Sequence, residues 1–345
     1  MRRQRRDAVD LRVVDIDMPR ATGFSNETVF FDVATREGGE EVVRRYVARV
    51  EQEDGPLFPV QTPACRVSVE LQHRIMRAVA ESGAVPVPPL LAYEGDDAVL
   101  GRPFFVMEFV PGEIPSDLPR YSQHGFLVEK ARPEERARLI RDGIAKLAAL
   151  QQIDWRAAGL DWLDPSGGQP GLDLQLALHR EYAIRELRGR EHPVLLRGLD
   201  WLAANAPQSP VGLSWGDARI GNMIWQDYRC AGVLDWEAAA LLPPEADLGW
   251  WIMFDRMSFD DLGAPRLEGF PTREEMLEQW QRASGHGVAG GIDYWEIFAV
   301  MRFCAIMVKL GDRLTRRGLA PREANLSVAN GTTDALTRLL AKQGA

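Results

Sequence analysis

The sequence predicts an α+β chain in two lobes, a small one built on mixed β-sheet and a larger, mainly helical one. Three observations carry this reading. The 345 residues are 46% hydrophobic, which supplies core for more than one unit of roughly 150 residues. Strand-like patterning dominates the first 110 residues, and helical periodicity dominates the rest. Pro111 and Gly112 break the chain between the two.

Taken in order, ETVFFDV, a Gly-rich turn and EEVVRRYVARV, within residues 27–50, suggest two strands joined as a hairpin. VSVELQHRIMRAVAES at 67–82 has helical spacing and leads to a turn and PVPPLL. AVLGRPFFVMEFV at 98–110 suggests one or two further strands. These elements define a first lobe of residues 1–110. In the second lobe, 111–345, helices are expected at 133–151, 171–189, 194–205, 246–262, 272–283, 292–315 and 322–341. Short strands are expected around 211–215, 223–226 and 230–234. The connection GLDWLDPSGGQPG at 159–171 is too short to separate domains.

Composition excludes several function classes. Fifty acidic side chains against 41 Lys and Arg give a formal charge of -9, a field that repels polyanions and argues against a nucleic-acid partner. The start, MRRQRRDAVDLRVVDIDM, lacks the apolar run of about 7 to 15 residues that a secretory signal needs, and is expected to fray. No window approaches the run of about 18 apolar residues of a membrane span. Cys65, Cys230 and Cys304 are odd in number and lack metal-ligand spacing, which fits free thiols in a cytoplasmic protein. The five histidines show no metal-ligand spacing either.

The chemistry concentrates in LSWGDARIGNMIW at 213–225 and VLDWE at 233–237. Asp217 and Asn222 lie in a short loop between apolar runs. Pairing of 223–226 with 230–235 as a hairpin would return Asp235 toward that loop. Hard oxygen donors gathered this way suit Mg²⁺. The same three residues would also serve as an ordinary turn and a helix cap.

WGDARIGN followed by VLDWE resembles the catalytic and metal-binding segments of the aminoglycoside phosphotransferase and choline kinase-like superfamily. The resemblance implies a bilobal protein-kinase-like fold. GFSNETVFF looks like that family's first hairpin, VVRRYV like its nucleotide-contacting strand, FFVMEFVPG like its hinge, and ADLGW at 246–250 like the segment after the metal-binding strand. The strand arginine looks like the subgroup found with acyl-CoA dehydrogenase domains. Where the family carries His-Gly-Asp, this chain has Trp215, which cannot titrate and is expected to be structural.

By position, the resemblance makes Asp217 the group that orients the acceptor hydroxyl and takes its proton. Asn222 and Asp235 become Mg²⁺ ligands. Arg219 would neutralise the moving phosphate or pair with a carboxylate. Ser25 and the backbone of GFSNE would contact phosphates, and so would Arg44, held by Glu70 on the following helix. Backbone groups near Glu108 and Val110 would bind the base. Asp247 would brace the loop or cap a helix, and Glu237 would add a metal contact or face solvent. The implied activity is transfer from ATP or GTP, with Mg²⁺, to a small hydroxyl-bearing metabolite such as a hydroxyacyl-CoA or an aminoglycoside. The alternative is a nucleotide-binding regulatory homologue with weak or absent transfer. The sequence does not choose between ATP and GTP, and it leaves the oligomeric state open.

Overall fold

The computed structural model of the chain describes residues 9–18 and 26–345. A five-stranded antiparallel sheet forms the small lobe, in the order β1-β2-β3-β5-β4. Its strands are β1 (Val9–Asp17), β2 (Glu27–Glu37), β3 (Glu40–Val50), β4 (Leu90–Glu94) and β5 (Phe104–Glu108). Residues 9–17, expected to fray, instead form the edge strand on β2. The helix expected at 67–82 is α1 (Ser68–Ser82), and α2 (Asp97–Leu100) takes the start of the 98–110 run.

β2 and β3 pair without a slip from Glu27 opposite Val50 to Glu37 opposite Glu40. The turn between them is Gly38-Gly39, at φ 60° and 94°, which matches the two-residue hairpins that need positive φ. Unbroken pairing fixes which side chains of β3 share a face. Tyr46, Ala48 and Val50 pack with Val33 and Val106 in a small cluster on one side of the sheet. Val47 points to the other side and joins the main core.

The large lobe comprises α3 (Phe126–Glu129), α4 (Pro133–Gln151), α5 (Leu172–Leu187), α6 (Pro193–Ala204), β6 (Gly212–Ser214), β7 (Met223–Gln226), β8 (Arg229–Val233) and β9 (Ala240–Leu242). It continues with α7 (Glu245–Ser258), α8 (Arg273–Ser284), α9 (Ile292–Arg316) and α10 (Gly331–Lys342). The helix expected over 322–341 is a short 3₁₀ turn at Arg322–Ala324 followed by α10. β6 pairs with β9, and β7 with β8. α7 lies close on α9 because Gly249 has no side chain: a Cβ there would come 2.4 Å from the Trp295 carbonyl oxygen. Trp250, Trp295, Phe298 and Met301 are buried at this contact, and each such side chain contributes about 1.5–3 kcal/mol relative to exposure.

The segment just after the hinge is fixed on the large lobe, where Glu113 and Trp225 exchange backbone hydrogen bonds of 2.9 and 2.8 Å. On the far side, the 51–67 linker docks on the helices. Lys309 donates to the Pro56 carbonyl at 2.8 Å and Tyr182 to that of Leu57 at 2.5 Å, while Arg313 reaches the carbonyls of Asp54 and Gly55. Among the described residues no helix is long and apolar enough to cross a membrane.

Candidate active site

The loop after β6 is fixed from beneath. Asp247, in the first turn of α7, accepts from the Ser214 hydroxyl and from the backbone N–H groups of Trp215 and Gly216, each at 2.8 Å. Burial raises the Asp247 pKa, against the pull of these donors. Asp247 therefore braces the loop. Gly216 sits at φ 85°, and a Cβ on it would lie 2.0 Å from the Ala238 carbonyl oxygen, so glycine alone fits. Buried Arg302 of α9 donates to the Gly216 carbonyl at 3.1 Å and lies 4.6 Å from the Trp250 ring centre. Burial pulls its pKa down to about 10.

On this base stands Asp217, itself buried. Its Oδ1 accepts from Trp250 Nε1 at 2.7 Å and Arg219 Nε at 3.1 Å; its Oδ2 accepts from Asn222 Nδ2 at 2.7 Å. Asn222 Nδ2 also donates to the Asp217 carbonyl at 3.0 Å. Both amide hydrogens are thereby used, which leaves the Asn222 amide oxygen for another partner. Arg219 continues to Asp117 and lies 5.0 Å from the Phe254 ring centre. Burial alone would lower the Arg219 pKa, but Asp217 and Asp117 outweigh it and raise it.

Asp235 arrives from β8 as expected of the hairpin. The Leu234 N–H donates to the Asn222 carbonyl at 2.8 Å. Trp215 Nε1 donates to the Leu234 carbonyl at 2.8 Å, so this tryptophan ties the loop to the strand that carries Asp235. Asp235 itself is at φ 58°, a costly conformation for a residue with a side chain. Its Oδ1 is buried and has no hydrogen-bond partner among the described residues. Burial raises its pKa, opposed by Arg49 and reinforced by Asp217. A buried carboxylate oxygen without a hydrogen bond, on a segment bonded to the Asn222 backbone, suits a hard cation.

The cation nearest these carboxylates from the small lobe is Arg49, with Nη2 3.7 Å from Asp235 Oδ1 and Nη1 donating to Thr28 at 2.7 Å. The expected Arg44–Glu70 pair does not form. Arg44 shares its face of β3 with Tyr46 and Ala48, turned away from the large lobe, and is bound to Glu37 near the hairpin turn. Glu70 accepts the Arg66 N–H at 2.9 Å and lies 4.0 Å from Arg74. The start of α1 is instead held by buried Glu51, which accepts the Val69 N–H at 2.9 Å. Glu237 is buried and bonded at 3.5 Å to both Asn26 and Ser68, so it faces no solvent. Ser25 lies outside the described residues.

At the hinge, the Glu108 N–H donates to Pro89 and the Phe109 N–H to Arg45. Val110 follows Phe109, which clusters with Phe30 and Arg45, the guanidinium 5.4 Å from each ring centre. Arg49 and Asp117 are not singled out by the sequence, and Trp250 stands out there only with Trp251 and Phe254 as an apolar stripe at helical spacing. Strand parity puts Arg49 on the Val47 side of β3, but with apolar residues on both sides it does not say which side faces the cleft.

The sequence matches the profile of the phosphotransferase enzyme family over residues 18–286. The chain belongs to that family. Among solved structures, this phosphotransferase-family chain superposes on a Ralstonia eutropha protein solved as a candidate aminoglycoside phosphotransferase. That match has a TM-score of 0.70 at 21% identity and covers 98% of this chain and 96% of the other. It also superposes on aminoglycoside phosphotransferase APH(4)-Ia in a ternary complex with AMP-PNP and hygromycin B, with a TM-score of 0.58 at 15% identity, covering 96% and 95% of the two chains. These likenesses establish the bilobal fold. A probable acyl-CoA dehydrogenase of Arabidopsis thaliana, IBR3, is 27% identical over 305 residues, 82% of this chain and 34% of that protein. The chain thus spans about a third of that relative's length.

Proposed function

We propose that the chain is a small-molecule kinase that transfers the γ-phosphoryl group of ATP or GTP to a hydroxyl. The observation that carries this reading is the convergence of Asp217, Asn222, Asp235 and Arg49 on one side of the hinge. Asn222 and Asp235 would hold Mg²⁺, which neutralises phosphate charge when bound. Of the Asp217 oxygens, Oδ1 already accepts two hydrogen bonds and Oδ2 one. Oδ2 therefore orients the acceptor hydroxyl and takes its proton as the oxygen bonds to the γ-phosphorus and the bond to the nucleoside diphosphate breaks. Arg49 replaces Arg44 as the phosphate-facing cation of the small lobe. A planar fork grips phosphate through two donors. Residues 1–110 bind nucleotide in this reading, with Ser25 at the phosphates and Glu108 and Val110 at the base, and 111–345 bind the acceptor. Similarity to a segment of acyl-CoA dehydrogenase proteins places hydroxyacyl-CoAs on the acceptor panel beside aminoglycosides.

The test is a mass-spectrometric panel of hydroxyl compounds with Mg²⁺ and ATP or GTP, run on wild type and Asp217→Asn. The expected result is a phosphorylated product whose rate falls by about 10³-fold in the variant, the middle of the range for losing a general base, while nucleotide binding is kept. Bound nucleotide with no Asp217-dependent product would favour the regulatory alternative.

A further inference from the structure

We infer that the hydroxyl acceptor carries a carboxylate or phosphate group, gripped by Arg120 and Arg219 in the place that the Asp117 carboxylate now takes. This rests on the kinase reading above and adds the acceptor's charge to it. The segment after the hinge lies over the catalytic loop: a Cβ on Gly221 would sit 3.3 Å from the Pro115 carbonyl oxygen and 3.5 Å from Asp117 Oδ1. Asp117 pairs with Arg219 Nη1 and lies 3.8 Å from Arg120 Nη1. That Arg120 nitrogen is buried and makes no hydrogen bond among the described residues. Both guanidiniums lie over Phe254, at 5.0 and 5.9 Å from the ring centre. Arg219 Nε is 3.1 Å from Asp217 Oδ1. An anion between the two arginines is therefore one guanidinium away from the carboxylate that receives the hydroxyl proton.

The surrounding acids argue against a cationic acceptor. Asp255 is taken by Arg266, Glu296 by Arg256 and Arg273, and Asp261 by Arg256 and Arg338. An ammonium group would have to displace an arginine from each of these three; Asp260, close to Asp255, is exposed and makes no ion pair among the described residues. An anion has to displace only Asp117, whose side chain is 43% exposed on an irregular segment. Paired guanidinium forks match the geometry of carboxylate and phosphate alike.

The experiment uses matched hydroxyl compounds of three to six carbons: hydroxy acids such as glycerate, their amides, the corresponding amino alcohols, and glycerol phosphate as the phosphate arm. Binding is read by calorimetry in the presence of Mg²⁺ and a non-hydrolysable nucleotide, and transfer by product formation, for wild type, Arg120→Gln and Asp117→Asn. The expected result is preference for a carboxylate or phosphate member over its neutral partner by at least about tenfold in kcat/KM, the scale set by leaving buried donors unpaired. Arg120→Gln should raise KM for that anion about tenfold with a smaller change in kcat, the pattern of lost acceptor binding. Asp117→Asn, which keeps both arginines and frees their site, should tighten anion binding, and it stands as an independent arm if Arg120→Gln fails to fold. Preference for a neutral or cationic member, an unchanged KM in Arg120→Gln, or nucleotide binding without binding of any anion would overturn the inference. Failure of wild type to bind nucleotide would instead remove the kinase reading beneath it.

Discussion

The floor and the roof of the cleft are held in different ways. On the floor, Asp217 is gripped by three side-chain donors, and Asp247 by one hydroxyl and two backbone N–H groups, all within the large lobe. On the roof, Arg49 has one close hydrogen bond, to Thr28, and a looser approach to Asp235. On the kinase reading proposed above, the floor fixes where the acceptor hydroxyl and the proton go, where small errors are costly in phosphoryl transfer, and the roof brings a long cation to the phosphates. On that reading the contrast is between buried hydrogen bonds that position the chemistry and a lone, less tightly held side chain that meets phosphate charge.

Breaking the floor should have the largest effect. Asp247→Ala removes the acceptor for three donors and leaves the buried Arg302 cation without its main opposing charge. Urea unfolding should show a loss of about 3–5 kcal/mol, the range for breaking a buried charge network. On the roof, the contrast lies between two arginines of one strand. Arg49→Ala should raise the nucleotide KM by roughly 10- to 100-fold, as expected for loss of a charge-assisted phosphate contact, whereas Arg44→Ala should change it less than about twofold because a surface ion pair contributes little. Equal effects in steady-state kinetics would remove the assignment of Arg49.

A smaller effect tests the packing behind the floor. His179 donates from Nδ1 to the Gln175 carbonyl at 2.8 Å, and burial pushes its pKa down to about 3. The folded state therefore stays neutral while the unfolded chain takes up a proton below about pH 6.5. Stability from this residue is complete above that pH and falls by about 1.4 kcal/mol per unit as the pH drops toward 3. His179→Leu should make the acid limb of stability against pH shallower by about one proton; an unchanged slope would contradict the buried neutral histidine.

Much of the floor was legible in the sequence because its chemistry is local. Asp217 and Asn222 are five residues apart on one loop, and a short hairpin returns Asp235. The roof was harder to read. β3 is apolar on both sides near its end, with Val47 on one face and Tyr46, Ala48 and Val50 on the other. Alternation therefore gave no sign of which arginines face the cleft, as happens when both faces of a strand are covered. Trp250 read as one more residue in an apolar helical stripe, and nothing in its spacing marked an indole N–H aimed at Asp217. Asp117 and Arg120 lie in an irregular segment where periodicity says nothing, and only the fold brings them over the catalytic loop. Asp247 had two open readings, and the structure shows it bonded to the loop.

The most direct test of the central claim, that floor and roof together form a Mg²⁺-dependent nucleotide site, is calorimetric titration of ATP and GTP with and without Mg²⁺ into wild type and Asp235→Asn. The account predicts that at least one nucleotide binds wild type only with the metal, and that Asp235→Asn weakens this binding by at least about tenfold. Metal-independent binding, or equal affinity in the two proteins, would contradict it.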